Sequence, residues 1–224
     1  MRPLRGRRVR SRESAAQKRA RAGEIIDALE RAMPEARIQL GYRSDLQLMI
    51  AVMLSAQCTD KRVNLVTPAL FARYPAAVDF AKADLRELGS RIRSCGLYRS
   101  KARNIRAACR ELVAKYQGRV PRSRDALVAL PGIGNKSAGV IGNHLHGEAA
   151  FPVDTHVGRL ALRMNLTREE NPDAVERDLR ALLPSSRWAR AHQLLIWHGR
   201  LVCHARRPRC ESCVVAGLCP RRGL

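Results

Sequence analysis

From Gly23 to the cysteine-rich end of this chain, apolar residues recur at helical spacing, and strand-like alternation is nearly absent. That single period leaves helices as the only regular element able to bury the apolar face. The spacing predicts a first helix around Ile25, Ile26 and Leu29. Further helices are expected over 45–57, 60–74, 84–93, 99–116, 123–130, 135–146, 155–164, 173–183 and 187–202. Pro34, Pro75, Pro121, Pro131, Pro152, Pro172 and Pro184 fall between these runs, where a ring that removes a donor and clashes with the preceding turn belongs. The stretch DLQLMIAVMLSAQ (45–57), with Asp45 as its cap, is apolar almost all round and is expected at the centre of a core. The expected class is all-α, with about ten short helices.

Charge narrows the partners. The chain of 224 residues carries a formal net charge of +22. Residues 1–22 account for +8 and residues 203–224 for +4, so the body between them is itself strongly basic. A positive body favours a polyanion, nucleic acid before membrane, and no apolar run approaches the length that spans a bilayer. Residues 1–22 have no apolar pattern and read as a disordered basic arm. With no apolar targeting segment, the expected compartment is the cytoplasm or nucleoid. Of the 42 basic residues, 36 are Arg and only six are Lys. Guanidinium grips phosphate but does not give up its proton, so a lysine kept within a motif points to a need for an amine.

Four of the seven cysteines crowd into CHARRPRCESCVVAGLC, as Cys203, Cys210, Cys213 and Cys219. Such spacing is that of metal ligands. Disulfides suit a basic, leaderless chain poorly. Four-cysteine zinc sites usually pair two short knuckles, whereas only one C-x2-C is present here. The spacing therefore favours an iron–sulfur cluster and leaves zinc open. Cys58, Cys95 and Cys109 sit within helical patterns and read as small core residues.

LPGIGNKSAG (130–139), taken with the cysteine spacing, resembles endonuclease III, a helix-hairpin-helix DNA glycosylase and AP lyase family. MLSAQCTD (53–60), GLYRSKARNI (96–105) and FPVDTHVGRL (151–160) support the likeness, which runs from about Gly23 to Cys219. It implies a two-lobed all-α fold. One lobe would be a six-helix bundle over 38–148, with the hairpin at 123–146. The other would join 23–37 to 149–219 and carry a 4Fe-4S cluster on the loop 203–219. The partner would be double-stranded DNA with damaged bases or abasic sites, bound by a monomer.

In the hairpin, Gly132 and Gly134 would free the backbone, letting amides reach a phosphate in any sequence context. Lys136, in the next helix's first turn, matches the family's nucleophile. Asp154 reads as a helix cap and, by resemblance, as the catalytic carboxylate. Gln57 and Leu97 match side chains that fill the hole left by a flipped base. Asp60 and His156 sit in matching motifs near the pocket, the latter among the DNA contacts. Arg206, Arg207 and Arg209 would grip phosphates from the cluster loop. Two residues depart from the family pattern: Cys58 where Ala is expected, and Asn135 where Arg usually precedes the lysine. The alternatives are an adenine or mismatch glycosylase of the same superfamily, or a non-catalytic DNA-binding module with a four-cysteine zinc site.

Overall fold

The structure, a computed structural model, describes residues 13–224. Among them there are eleven α-helices and no strand. In chain order they are α1 (Ala15–Ala32), α2 (Asp45–Ser55), α3 (Asp60–Arg73), α4 (Ala77–Lys82), α5 (Leu85–Arg91) and α6 (Tyr98–Tyr116). They continue as α7 (Arg124–Val128), α8 (Asn135–Leu145), α9 (Thr155–Arg163), α10 (Pro172–Leu182) and α11 (Trp188–Leu201). Single 3-10 turns at Arg93–Cys95 and Ser185–Arg187 lead into α6 and α11.

Two apolar cores organise these helices. One gathers α2 to α8, from Leu40 to Ile141. The other joins α1 to α9, α10 and α11, from Ala22 through Val215. The chain therefore starts in the second lobe, crosses to build the first, and returns. Helix α2 is the axis of the bundle: every residue from Leu48 to Leu54 is buried. Burying one Leu, Ile or Met side chain is worth about 1.5–3 kcal/mol, so this helix alone is a large share of what holds the bundle together.

Several boundaries differ from the sequence reading. Residues 15–22, taken with the disordered arm, are helical. Ser14 caps α1 through a reciprocal capping box with Gln17, and Ala22 is buried against the second core. The rest of the arm, 1–12, lies outside the described residues. The cap of α2 is Ser44, whose side chain accepts from the Gln47 amide, with Asp45 following it in the first turn. Helix α2 ends at Ser55 rather than at Gln57, because Ala56 leaves helical backbone at ψ 114° and Gln57 then turns left-handed at φ 53°. Helix α4 was not anticipated. Six residues are too few to show a period, and its start is fixed by the Asp79 carboxylate accepting from the Ala76 amide at 2.9 Å.

Candidate active site and DNA interface

The hairpin runs from α7 through Leu130–Gly134 into α8. Its two glycines do different work. Gly132 has φ 82°, and a Cβ there would meet the Asn104 Cβ on α6 at 2.7 Å. Left-handed backbone and close approach both demand glycine at this point. Gly134, the cap residue of α8, has ordinary extended backbone at φ −92° with open space beside it. The conformational freedom expected of Gly134 is thus not used; what its missing side chain provides is clearance over the exposed start of α8.

Lys136 and Asn135 occupy that first turn, both exposed. Asp154 stands across from them at the head of α9, in the other lobe. It caps that helix, its Oδ1 accepting from the Val157 amide at 2.8 Å. His192 of α11 is buried at 1% exposure. Burial pushes the His192 imidazole well below its ordinary range. The Asp154 carboxylate opposes that shift, and His144 and Lys136 add to it. The Gln193 amide nitrogen bridges the rings of His192 (3.4 Å) and His144 (3.2 Å). Because an amide nitrogen only donates, both ring nitrogens accept, which suits the low pKa that burial imposes on each. The Nε2 of His192 is left without a protein partner.

Gln57 and Leu97 sit at the tips of two turns on the bundle. Both are exposed, Leu97 at 57%, and both have left-handed backbone, at φ 53° and 48°. Non-glycine residues seldom adopt that conformation, and where they do it commonly marks a functional site. Beneath them lies a residue that the sequence reading passed over. Lys101 is buried, at 7% exposure, and its Nζ donates to the carbonyls of Leu54 (2.7 Å) and Cys95 (2.8 Å). It thereby ties the end of α2 to the turn before α6, just under the two tips. The signal was present in the sequence as a lysine on the face of α6 that also carries Ala102, Ile105 and Ala108.

Asp60 and His156 are engaged inside the protein. The Asp60 carboxylate accepts from Arg200 of α11 at 2.8 Å, a strut between the lobes. His156 packs against Gly199, with its Nδ1 3.1 Å from Arg159, and burial holds its pKa down against the pull of Asp154.

Cys203, Cys210, Cys213 and Cys219 line one small pocket, together with His198 and Met164. Burial raises the thiol pKa of Cys213 and Cys219, and the neighbouring cysteines raise both further. Four thiols crowded this way are costly to ionise without a cation between them. The loop from the first cysteine is held from α9. Arg159 donates to the carbonyls of Gly199 and Cys203, and Arg163 to those of His204 and Ala205. Neither arginine was singled out by sequence. Held by that frame, Arg206, Arg207 and Arg209 are exposed, and none has a carboxylate partner among the described residues.

Residues 50–185 match the HhH-GPD superfamily base excision DNA repair protein family, and residues 203–219 match the iron-sulfur binding domain of endonuclease III. Endonuclease III of Synechocystis sp. is 46% identical over 206 residues, spanning 92% of this chain and 94% of that protein. The Escherichia coli endonuclease III is 39% identical over 203 residues, 90% of this chain and 95% of that one. Among solved structures, a trapped endonuclease III–DNA covalent intermediate superposes with a TM-score of 0.87 at 41% identity, covering 91% of this chain and 96% of that chain. A thermostable thymine-DNA glycosylase shares the fold, with a TM-score of 0.81 at 24% identity over 93% of this chain and 98% of that one. No helix among the described residues is long and apolar enough to cross a membrane. The chain belongs to the endonuclease III family of base-excision DNA glycosylases and AP lyases, which carry a 4Fe-4S cluster.

Proposed function

We propose that this enzyme removes damaged bases, oxidised pyrimidines foremost, from duplex DNA through Lys136 and then nicks the strand 3′ to the abasic site. The placement that supports this reading is exposed Lys136 in the first turn of α8 on one lobe and Asp154 capping α9 on the other, within a chain of the endonuclease III family.

The nucleotide to be repaired is turned out of the duplex, at a cost of a few kcal/mol. Gln57 and Leu97 offset that cost by occupying the vacated stack. The Lys136 amine attacks the sugar C1′. The bond from C1′ to the base breaks, and the base leaves with its electron pair and takes up a proton. The sugar ring opens to a Schiff base, a C2′ proton is lost, and the C3′–O bond breaks, releasing the strand 3′ to the lesion. Asp154 stabilises the positive charge that grows on the sugar and passes protons, while continuing to cap α9. Backbone amides at Gly134 and Asn135 face a phosphate at the positive end of α8.

Cys203, Cys210, Cys213 and Cys219 would hold the 4Fe-4S cluster, which when bound joins four points of the loop into one brace. No chemical step passes through it. Arg206, Arg207 and Arg209 grip phosphates from that brace. The enzyme works as a monomer in the cytoplasm or nucleoid.

Borohydride added to the protein and an abasic-site duplex should trap a covalent complex, and Lys136→Ala should abolish it. A complex that persists in the variant refutes the assignment. The purified protein should be yellow-brown; colourless protein with one equivalent of zinc would overturn the cluster.

A further inference from the structure

Just beyond Leu97 lies a groove of about 480 Å³ between α5 and the start of α6. Arg86, Arg93, Arg99 and Arg103 line it, with Tyr98 against Gly89 in its wall. None of the four guanidinium groups has a carboxylate partner among the described residues. The contrast with their neighbours is local. Arg73 and Arg91 are both paired with Glu87, and the Asp84 carboxylate caps α5 by accepting from the Arg86 and Glu87 amides, so both acids of this segment are engaged. Four like charges around an open groove repel one another, and an external anion is the arrangement that relieves this. Planar guanidinium forks suit phosphate oxygens.

We propose that this groove binds the sugar–phosphate backbone of the duplex flanking the lesion, on the Leu97 side. It extends the footprint beyond the hairpin and the cluster loop, and its orientation rests on Leu97 facing DNA. Arg103 lies six residues past Leu97, about 9 Å along the helix at about 1.5 Å per residue.

The test uses the full chain and a duplex bearing a non-cleavable abasic analogue. Neutral methylphosphonate linkages are walked outward from the lesion on each strand. For the wild type, a run within the first few phosphates on one flank should weaken binding about tenfold and lower the log–log salt slope by about two. Arg93→Gln with Arg103→Gln should cause the same loss on the charged duplex and no further loss on the neutral one. Arg93→Lys with Arg103→Lys should restore the salt slope, since an ammonium also neutralises phosphate. Equal sensitivity of wild type and Gln variant to neutral linkages at every position would overturn the proposal. So would inorganic phosphate or a mononucleotide occupying the groove with full affinity, because the site would then be for a free anion. Borohydride trapping by the wild type on a fully charged abasic duplex reports the Lys136 reading separately.

Discussion

At the scale of single residues, the site depends on groups that never touch DNA. Lys101 is the clearest case, a buried amine held by the Leu54 and Cys95 carbonyls. Lys101→Met keeps the length of the side chain but leaves two carbonyls unpaired, each costing about 1–3 kcal/mol if it stays buried. The tips carrying Gln57 and Leu97 should loosen, and the step that needs them most should suffer most. Excision of a damaged base is expected to fall by about tenfold or more. Nicking of a preformed abasic site, which costs less to flip, should fall less. Equal loss on the two substrates would show that Lys101 serves stability alone. His192 gives a second prediction. Its folded pKa is pushed down to about 4 from 6.5, so the unfolded chain binds the proton more readily. The resulting stability is complete above about pH 6.5 and is lost as pH falls toward 4, by at most about 1.4 kcal/mol per pH unit. Denaturant curves across that window should show a shallower acid dependence for His192→Gln than for the wild type.

At the scale of elements, the hairpin separates two uses of glycine that look alike in LPGIGNKSAG. Gly132→Ala meets both a left-handed φ and the Asn104 Cβ, so its melting temperature and its DNA affinity should fall together. Gly134→Ser replaces one acceptable helix cap with a better one, so stability should hold or rise. Its side chain now fills the clearance over α8, so affinity for DNA of any sequence should fall nonetheless. Thermal unfolding and binding to an undamaged duplex would separate these cases. Sequence alone gave both residues the same role, because it shows residue type and not φ. The same limit explains Asp60 and His156. Their motifs were recognisable, but the residues they pack against, Arg200 and Gly199, lie more than 40 residues away in α11. Helix positions were legible wherever an apolar period ran for several turns between prolines, as in α2, α6 and α11. The period was lost where six residues made a helix in α4, and where charge masked the first turns of α1. The four cysteines stood out by their spacing, whereas Lys136 and Asp154 were singled out through the family resemblance of the motifs that carry them. Arg159 and Arg163 could not be picked out, being two arginines among 36.

At the scale of the whole molecule, the two cores are joined by a few polar struts. Arg200 reaches Asp60 and Gln39, and Gln193 reaches His144. The bundle core contains none of the four clustered cysteines, whereas Cys203, Cys213 and Cys219 pack against the second core beside Val215. Losing the cluster should therefore act on one lobe. When iron is removed by chelation, thiolates held close together lose the cation between them and the loop 203–219 should open. Arg159 and Arg163 would keep its first residues near α9 through backbone carbonyls alone. Hydrogen exchange should then rise across 203–219 and the facing side of α9, while amides of α2, with Leu48 to Leu54 buried, stay protected. Arg206, Arg207 and Arg209 would no longer be displayed together, so affinity for undamaged duplex should fall and its salt slope flatten by about two to three units. The amine of Lys136 sits on the other lobe, so borohydride trapping at saturating abasic duplex should survive the loss of iron. If trapping disappears while α2 remains protected, the cluster must do more than brace the arginine loop.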